Sequence, residues 1–167
     1  MYRKNSHCSY CGQVFPRNAA WPRTCTLCGN ITFLNPLPVA VVLVPVDDGI
    51  LVIRRGIAPH VGKPALPGGY INLGESWQEA GAREVLEEAC VSISPEEIRE
   101  FAVRSGEDET LLVFGIAGRR ASESLPPFQP TDESLERLIL KRPENLAFGL
   151  HTEIVRLFFA GHLPLRI

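Results

Sequence analysis

The stretch Gly69-Tyr-Ile-Asn-Leu-Gly-Glu75-Ser-Trp-Gln-Glu-Ala-Gly-Ala-Arg83-Glu84-Val-Leu-Glu87-Glu88-Ala-Cys-Val91 joins a helix signal to a dense cluster of acids. Ser76 followed by Glu79 is a capping-box pattern, so a helix is predicted to begin near Ser76. Along it Ala82, Val85, Leu86 and Ala89 fall at i, i+3, i+4 and i+7 and form one apolar stripe. Glu84, Glu87 and Glu88 share another face, within about 100° of arc, and are expected opposite the stripe. Three carboxylates this close repel one another and raise one another's pKa. A solvated surface tolerates that repulsion, whereas a divalent cation removes it. The flanking residues favour the cation. Pro67-Gly68-Gly69 and Gly74-Glu75 make a glycine-bearing loop that feeds into the helix, where backbone can come close to an anion. Arg83 stands beside the acids and can orient one of them by a charge-assisted bond. A phosphate-accepting loop next to hard oxygen ligands suits a diphosphate complexed with Mg²⁺.

Upstream of this stretch, Val39-Ala40-Val41-Val42-Leu43-Val44 is a β-branched run with the length of a buried strand. Asp47-Asp48-Gly49 signals a hairpin, Ile50 to Ile53 is the returning strand, and Arg54-Arg55-Gly56 ends it. Residues 59–69 are expected as a loop. Downstream, Ile98 to Val103 and Leu111 to Ala117 are expected as strands around the acidic turn Glu107-Asp108-Glu109. Arg119 to Pro130 is expected as a loop, Leu135 to Leu140 as a strand, and Glu153 to Ala160 as a short helix. Strands, helix, strands, helix make an α/β chain with a mixed sheet flanked by helices.

The first 35 residues are of another kind. They hold Cys8, Cys11, Cys25 and Cys28 in two C-x-x-C pairs separated by thirteen residues, while the fifth cysteine, Cys90, stands alone. Two such knuckles place four thiolates tetrahedrally about one Zn²⁺, and glycine follows each pair, at Gly12 and Gly29, where a tight turn needs it. Four protein ligands leave no position for water, so this zinc is expected to be structural. The boundary falls at Asn35-Pro36-Leu37-Pro38, a stiff connector, giving a zinc ribbon over 1–35 and a second domain over 36–167. Arg3, Lys4, Arg17 and Arg23 with Tyr10, Phe15 and Trp21 give the ribbon a mild basic-aromatic mix. The formal net charge of -2 nevertheless disfavours nucleic acid as the partner. No apolar run has the length of a spanning helix and none follows Met1 as a leader, so neither membrane nor secretion is expected and a cytoplasmic location is.

The quoted stretch resembles the Nudix box: Gly69, Glu75, Arg83, Glu84, Val85, Glu87, Glu88 and Val91 stand at the box spacings, and Cys90 stands where the family usually has glycine. The resemblance implies a Nudix α/β/α sandwich over 36–167. It also implies Mg²⁺ or Mn²⁺ held mainly by Glu84, Glu87 and Glu88, and attack of water on a phosphorus of a nucleoside diphosphate derivative. Glu84 is the first choice as base, and Glu75 is expected to support the site, either through water or by pairing with Arg83. A ribbon before a Nudix domain is similar to NADH pyrophosphatases and to hydrolases of ADP-ribose or FAD. Arg54-Arg55-Gly56-Ile57-Ala58-Pro59, Leu66-Pro67-Gly68-Gly69 and Pro143-Glu144-Asn145-Leu146-Ala147-Phe148 look like that group. The NADH enzymes carry Ser-Gln-Pro-Trp-Pro-Phe-Pro after the box. This chain has Ala102-Val103-Arg104-Ser105-Gly106 there, so ADP-ribose or FAD is favoured over NADH. Arg54, Arg55, Gly68 and Gly69 are the expected substrate contacts. Glu133 and Glu136 are candidates for a further acidic ligand, with Glu107 and Glu109 weaker ones. A nucleotide-sensing regulator without hydrolysis is the alternative, and a homodimer is allowed for.

Overall fold

The structure, a computed structural model, describes residues 4–106 and 108–162. It divides into two compact units, Met1–Pro36 and Leu37–Ile167. Arg3 and Glu107 lie outside the described residues.

The smaller unit holds one two-stranded antiparallel sheet, β1 (Arg23–Thr24) paired with β2 (Ile31–Thr32). Among its described residues the buried apolar ones are Cys8, Phe15 and Cys25, too few to stabilise a fold alone.

The larger unit is three-layered. One sheet has the order β7-β3-β9-β8, from β3 (Leu37–Leu43), β7 (Gly68–Tyr70), β8 (Arg99–Ser105) and β9 (Thr110–Ile116). It is mixed, since β3 runs parallel to β9 and antiparallel to β7. The other is antiparallel: β5 (Gly49–Arg55) pairs with β10 (Ser134–Leu140), β4 (Pro45–Val46) and β6 (Pro64–Ala65). Helices α1 (Trp77–Ala89) and α2 (Gly149–Phe159) lie on opposite faces.

Alternation along the strands explains the layering. Val42, Val44, Leu51 and Ile53 pack with Ala82, Val85 and Ala89 of α1, whereas Val41, Leu43, Ile50 and Val52 pack with Ile154 and Val155 of α2. A strand apolar on both faces must be covered on both. The α/β/α sandwich with a mixed sheet is therefore observed. The predicted hairpin is present too, with Asp47 in the left-handed region at φ 49° and Gly49 opening β5. Two expectations change. The segment 59–69 is not wholly loop, because β6 and β7 form within it. Helix α2 starts at Gly149, four residues before the expected Glu153, from a backbone cap at Phe148 that has no side-chain hydrogen bond. No helix among the described residues is long and apolar enough to cross a membrane.

Candidate active site

Helix α1 begins as predicted. Ser76 accepts from the Glu79 amide at 3.2 Å while the Glu79 carboxylate accepts from the Ser76 amide at 2.7 Å. Its buried face is broader than the predicted stripe: Ala80, Gly81, Ala82, Val85 and Ala89 are buried, but Leu86 is 52% exposed. The carboxylates accordingly do not stand opposite the buried face; Glu84 and Glu88 flank it, and only Glu87 points fully outward. The cause is β7, which crosses beneath the helix. A side chain at Gly68 would lie 2.7 Å from the Val41 Cα, and one at Gly69 would collide with the Glu84 carboxylate. Two glycines let strand and helix close to a distance at which Glu84 and Glu88 turn inward.

Arg83 binds this arrangement together. Its Nε and Nη2 donate to the two oxygens of Glu75 at 2.8 and 3.1 Å, and Nη1 donates to Glu84 at 2.6 Å and Glu87 at 3.2 Å. Nη2 also donates to the Tyr70 carbonyl at 3.0 Å. The planar fork thus ties strand, loop and helix with one side chain. The Arg83 bonds and the Asn72 amide hold the Glu75 carboxyl at about 2, so it is firmly ionised. Burial pushes Glu84 up, against the pull of Arg83. Glu88 accepts from the Gly68 amide at 3.0 Å, yet burial, with Glu84 and Glu133 adding repulsion, raises it to about 7.

Both part-buried glutamates feel Glu133, which the structure brings beside them just ahead of β10. Glu136 is taken up elsewhere: it opposes Arg54 in the β5–β10 register and accepts from its Nε at 2.8 Å. Arg54 spends another donor on the Gly62 carbonyl at 2.9 Å. Arg55 instead lines a cleft of about 800 Å³, together with Gly68, Gly69, Asp108, Phe148 and His151. Its guanidinium lies over the Phe148 ring at 4.9 Å, and its Nε donates to the Pro59 carbonyl. In the sequence Phe148 figures only as the last residue of the quoted stretch 143–148, and His151 has no partner pattern. Their neighbours come from remote segments: His151 meets the Leu66 amide, 85 residues away, and its ring packs against Phe114.

Cys90 ends α1 in the left-handed region, at φ 56°, with its amide bonded back to the Leu86 carbonyl. The position has the geometry for which glycine is suited, and the thiol is 3.8 Å from the Gln129 carbonyl.

In the smaller unit the four cysteine Sγ atoms lie within 4.8 Å of one another. The Cys8–Cys28 and Cys11–Cys25 separations are 3.7 and 3.6 Å. A tetrahedron with Zn–S bonds of about 2.3 Å has edges of about 3.8 Å, so the quartet fits zinc. Gly12 and Gly29 adopt φ of 76° and 73° and donate their amides to the Cys8 and Cys25 carbonyls, completing two knuckles. Among the described residues no other group of three acidic or ligating side chains converges so closely. The three box glutamates stay further apart, Glu84 and Glu87 drawn to Arg83 and Glu88 to Gly68. In the basic-aromatic mix, Arg23 lies 4.1 Å over Trp21 and donates to the Ala19 and Asn5 carbonyls, so that part is internal packing.

A protein-family model described as NUDIX domain matches residues 35–150. The NAD-capped RNA hydrolase NudC of Escherichia coli O1:K1 / APEC is 30% identical over 93 residues, which cover 55% of this chain and 36% of that protein. The chain thus matches little more than a third of the length of the curated relatives. A NUDIX hydrolase from Nitrosomonas europaea shares the fold at a TM-score of 0.73 and 27% identity, covering 93% of this chain and 90% of that one. A bifunctional NMN adenylyltransferase/ADP ribose pyrophosphatase from Francisella tularensis is similar at a TM-score of 0.56 and 25% identity, over 65% of this chain and 34% of that one.

Proposed function

The chain belongs to the Nudix family, and on that premise we propose that it is a Mg²⁺- or Mn²⁺-dependent hydrolase of the diphosphate linkage in nucleoside diphosphate derivatives, with ADP-ribose or FAD preferred to NADH. The observation that carries this is the Arg83-clamped set of Glu75, Glu84, Glu87 and Glu88 against the Gly68–Gly69 strand, whose two glycines also line a cleft of about 800 Å³. That volume suits a nucleotide-sized ligand.

The donor set fits a hard divalent cation: all its members are carboxylates, and the part-buried Glu88 is pushed up to about 7 by burial and by acidic neighbours. Glu87 and Glu88 would hold the ion, with Glu133 as a further oxygen donor. A bound Mg²⁺ supplies neutralisation of the diphosphate charge and acidifies a water. Glu84 takes the proton of the attacking water. Glu75, ionised through Arg83, fixes the register of loop and helix, so the carboxylates stay aimed at the same point. Gly68 and Gly69 admit the diphosphate close to the backbone, and Arg55 supplies positive charge in the same cleft. The cysteine quartet would hold Zn²⁺ as a structural ion in the small unit.

Support for the substrate preference is the missing NADH-associated stretch at Ala102 to Gly106, together with the ADP ribose pyrophosphatase named among the solved neighbours. The deciding assay is a panel of ADP-ribose, FAD, NADH and an NAD-capped RNA oligonucleotide with Mg²⁺, products separated by chromatography. ADP-ribose or FAD should show the highest kcat/KM. A much higher value for NADH or the capped RNA overturns the substrate preference. No turnover of any of the four with Mg²⁺ or Mn²⁺ overturns the hydrolase.

A further inference from the structure

His151 sits in the first turn of α2, and its ring forms part of the cleft wall. Its Nδ1 lies 3.2 Å from the Leu66 backbone nitrogen. A backbone N–H can only donate, so Nδ1 is the acceptor and carries no proton. Burial, with Arg55 adding repulsion, holds the imidazole down to about 3, which leaves the ring neutral at physiological pH. A neutral imidazole with a bare Nδ1 must carry its single proton on Nε2. That N–H has no partner among the described residues. Nor is it sealed in protein, because Ser134 Oγ is the one fully buried side-chain polar atom without a partner among them. The rings of Phe114 and Phe148 pack against the imidazole at 5.8 and 5.0 Å and fix its plane.

We propose that His151 is a specificity residue whose Nε2–H projects into the cleft as a fixed, uncharged donor for a hydroxyl or carbonyl oxygen of the group joined to the diphosphate. This rests on the cleft being the substrate site. The neutral charge decides the type of acceptor. Arg55 already offers a full positive charge in the same cleft, and a neutral N–H beside it adds little for a phosphate. A neutral oxygen gains from a donor already oriented and desolvated. A substrate lacking that oxygen would leave the N–H without a partner in the complex.

Two substitutions separate this role from a structural one. In His151→Asn the amide oxygen stands where Nδ1 does and can keep the Leu66 bond, but the cleft donor is gone. In His151→Gln the amide nitrogen stands near the Nε2 position and keeps the donor, while the Leu66 bond is lost. For the best substrate of the panel, His151→Asn should raise KM about three- to tenfold with kcat nearly unchanged, and His151→Gln should lie closer to wild type in KM. A second readout does not depend on turnover. Long-range ¹H–¹⁵N spectra of the full chain should show the proton on Nε2, and saturation with ADP-ribose or FAD, with Ca²⁺ in place of Mg²⁺, should shift Nε2 more than Nδ1. A proton on Nδ1, or an unmoved Nε2 together with an unchanged KM in His151→Asn, overturns the inference even if the wild type hydrolyses the ligand. A shifted Nε2 in a protein that turns over none of the panel upholds the inference and overturns the catalytic assignment alone. If none of these ligands binds, both fall.

Discussion

Replacing Glu88 by Gln should make the metal-free protein more stable and the enzyme nearly inactive, with a pH signature. In the folded chain the Glu88 carboxyl titrates near 7, against an ordinary value of 4.5. Below about pH 4.5 it is protonated in both folded and unfolded states and imposes no cost. Between about 4.5 and 7 the unfolded chain releases the proton while the folded chain keeps it, so stability falls as pH rises. Above about 7 the full penalty is present. A difference of about 2.5 units corresponds to at most about 3 kcal/mol, an upper bound because Glu84 and Glu133 share the same repulsion. Glutamine is uncharged throughout, and its amide oxygen can still accept from the Gly68 amide. The stability gain should therefore be near zero at about pH 4.5 and grow toward that bound by about pH 8. Urea unfolding in magnesium-free buffer across this range measures it. Turnover in Mg²⁺ should fall about 10²- to 10³-fold, as for other electrostatic groups at reacting centres. A pH-independent difference, or a wild type that is the more stable at pH 8, would refute the burial argument; wild-type turnover in the variant would refute the site.

Glu87, with its side chain 57% exposed, should behave differently: Glu87→Gln should change folding stability by less than about 0.5 kcal/mol, yet cost at least about tenfold in turnover, which kinetics and urea unfolding on one preparation can check. Metal analysis should find one zinc per chain, and Cys8→Ser or chelation should unfold residues 4–36, seen in the near-ultraviolet signal of Trp21; absence of zinc with an unaltered melting curve counts against it. Cys90→Gly should stabilise the fold by about 0.5–1 kcal/mol, because a residue with a Cβ is held at φ 56° and the thiol gives up only a weak contact; a loss of stability would mean that contact matters more than the backbone.

Much of this was legible because its signals are local. Ser76 and Glu79 stand three apart and cap each other, and Asp47-Asp48-Gly49 makes the turn its residue types suggest. The four cysteines meet as their spacing requires. What was not legible depends on partners distant in sequence. Leu86 has the period of the core face but lies off it, because β7 places Glu84 and Glu88 along the edge of the contact. Strands β6 and β7 are two and three residues long and made of Pro, Ala, Gly and Tyr, so pairing with β5 and β3 decides them rather than propensity. Glu133 and Glu136 look alike in sequence and are separated only by the Arg54 pairing across β5 and β10. His151 has no pattern around it at all; its role depends on Leu66, Phe114 and the cleft.

The double-sided apolar character of β3 has a consequence for how the chain finds its native pairing. In most sheets a slip of one residue exposes oil on one side and buries charge on the other, and is rejected for that reason. Here a slip would exchange Val41 and Leu43 with Ala40 and Val42, oil for oil. Proofreading must then be steric. Gly68 fits only where it meets the backbone of Ala40 and Val41, and Gly81 only where the Val42 side chain would lie 2.6 Å from an added Cβ. Shifted by one, these keyways face the wrong teeth. Gly68 and Gly81 thus act as gauges for assembly, whatever else Gly68 does in the cleft.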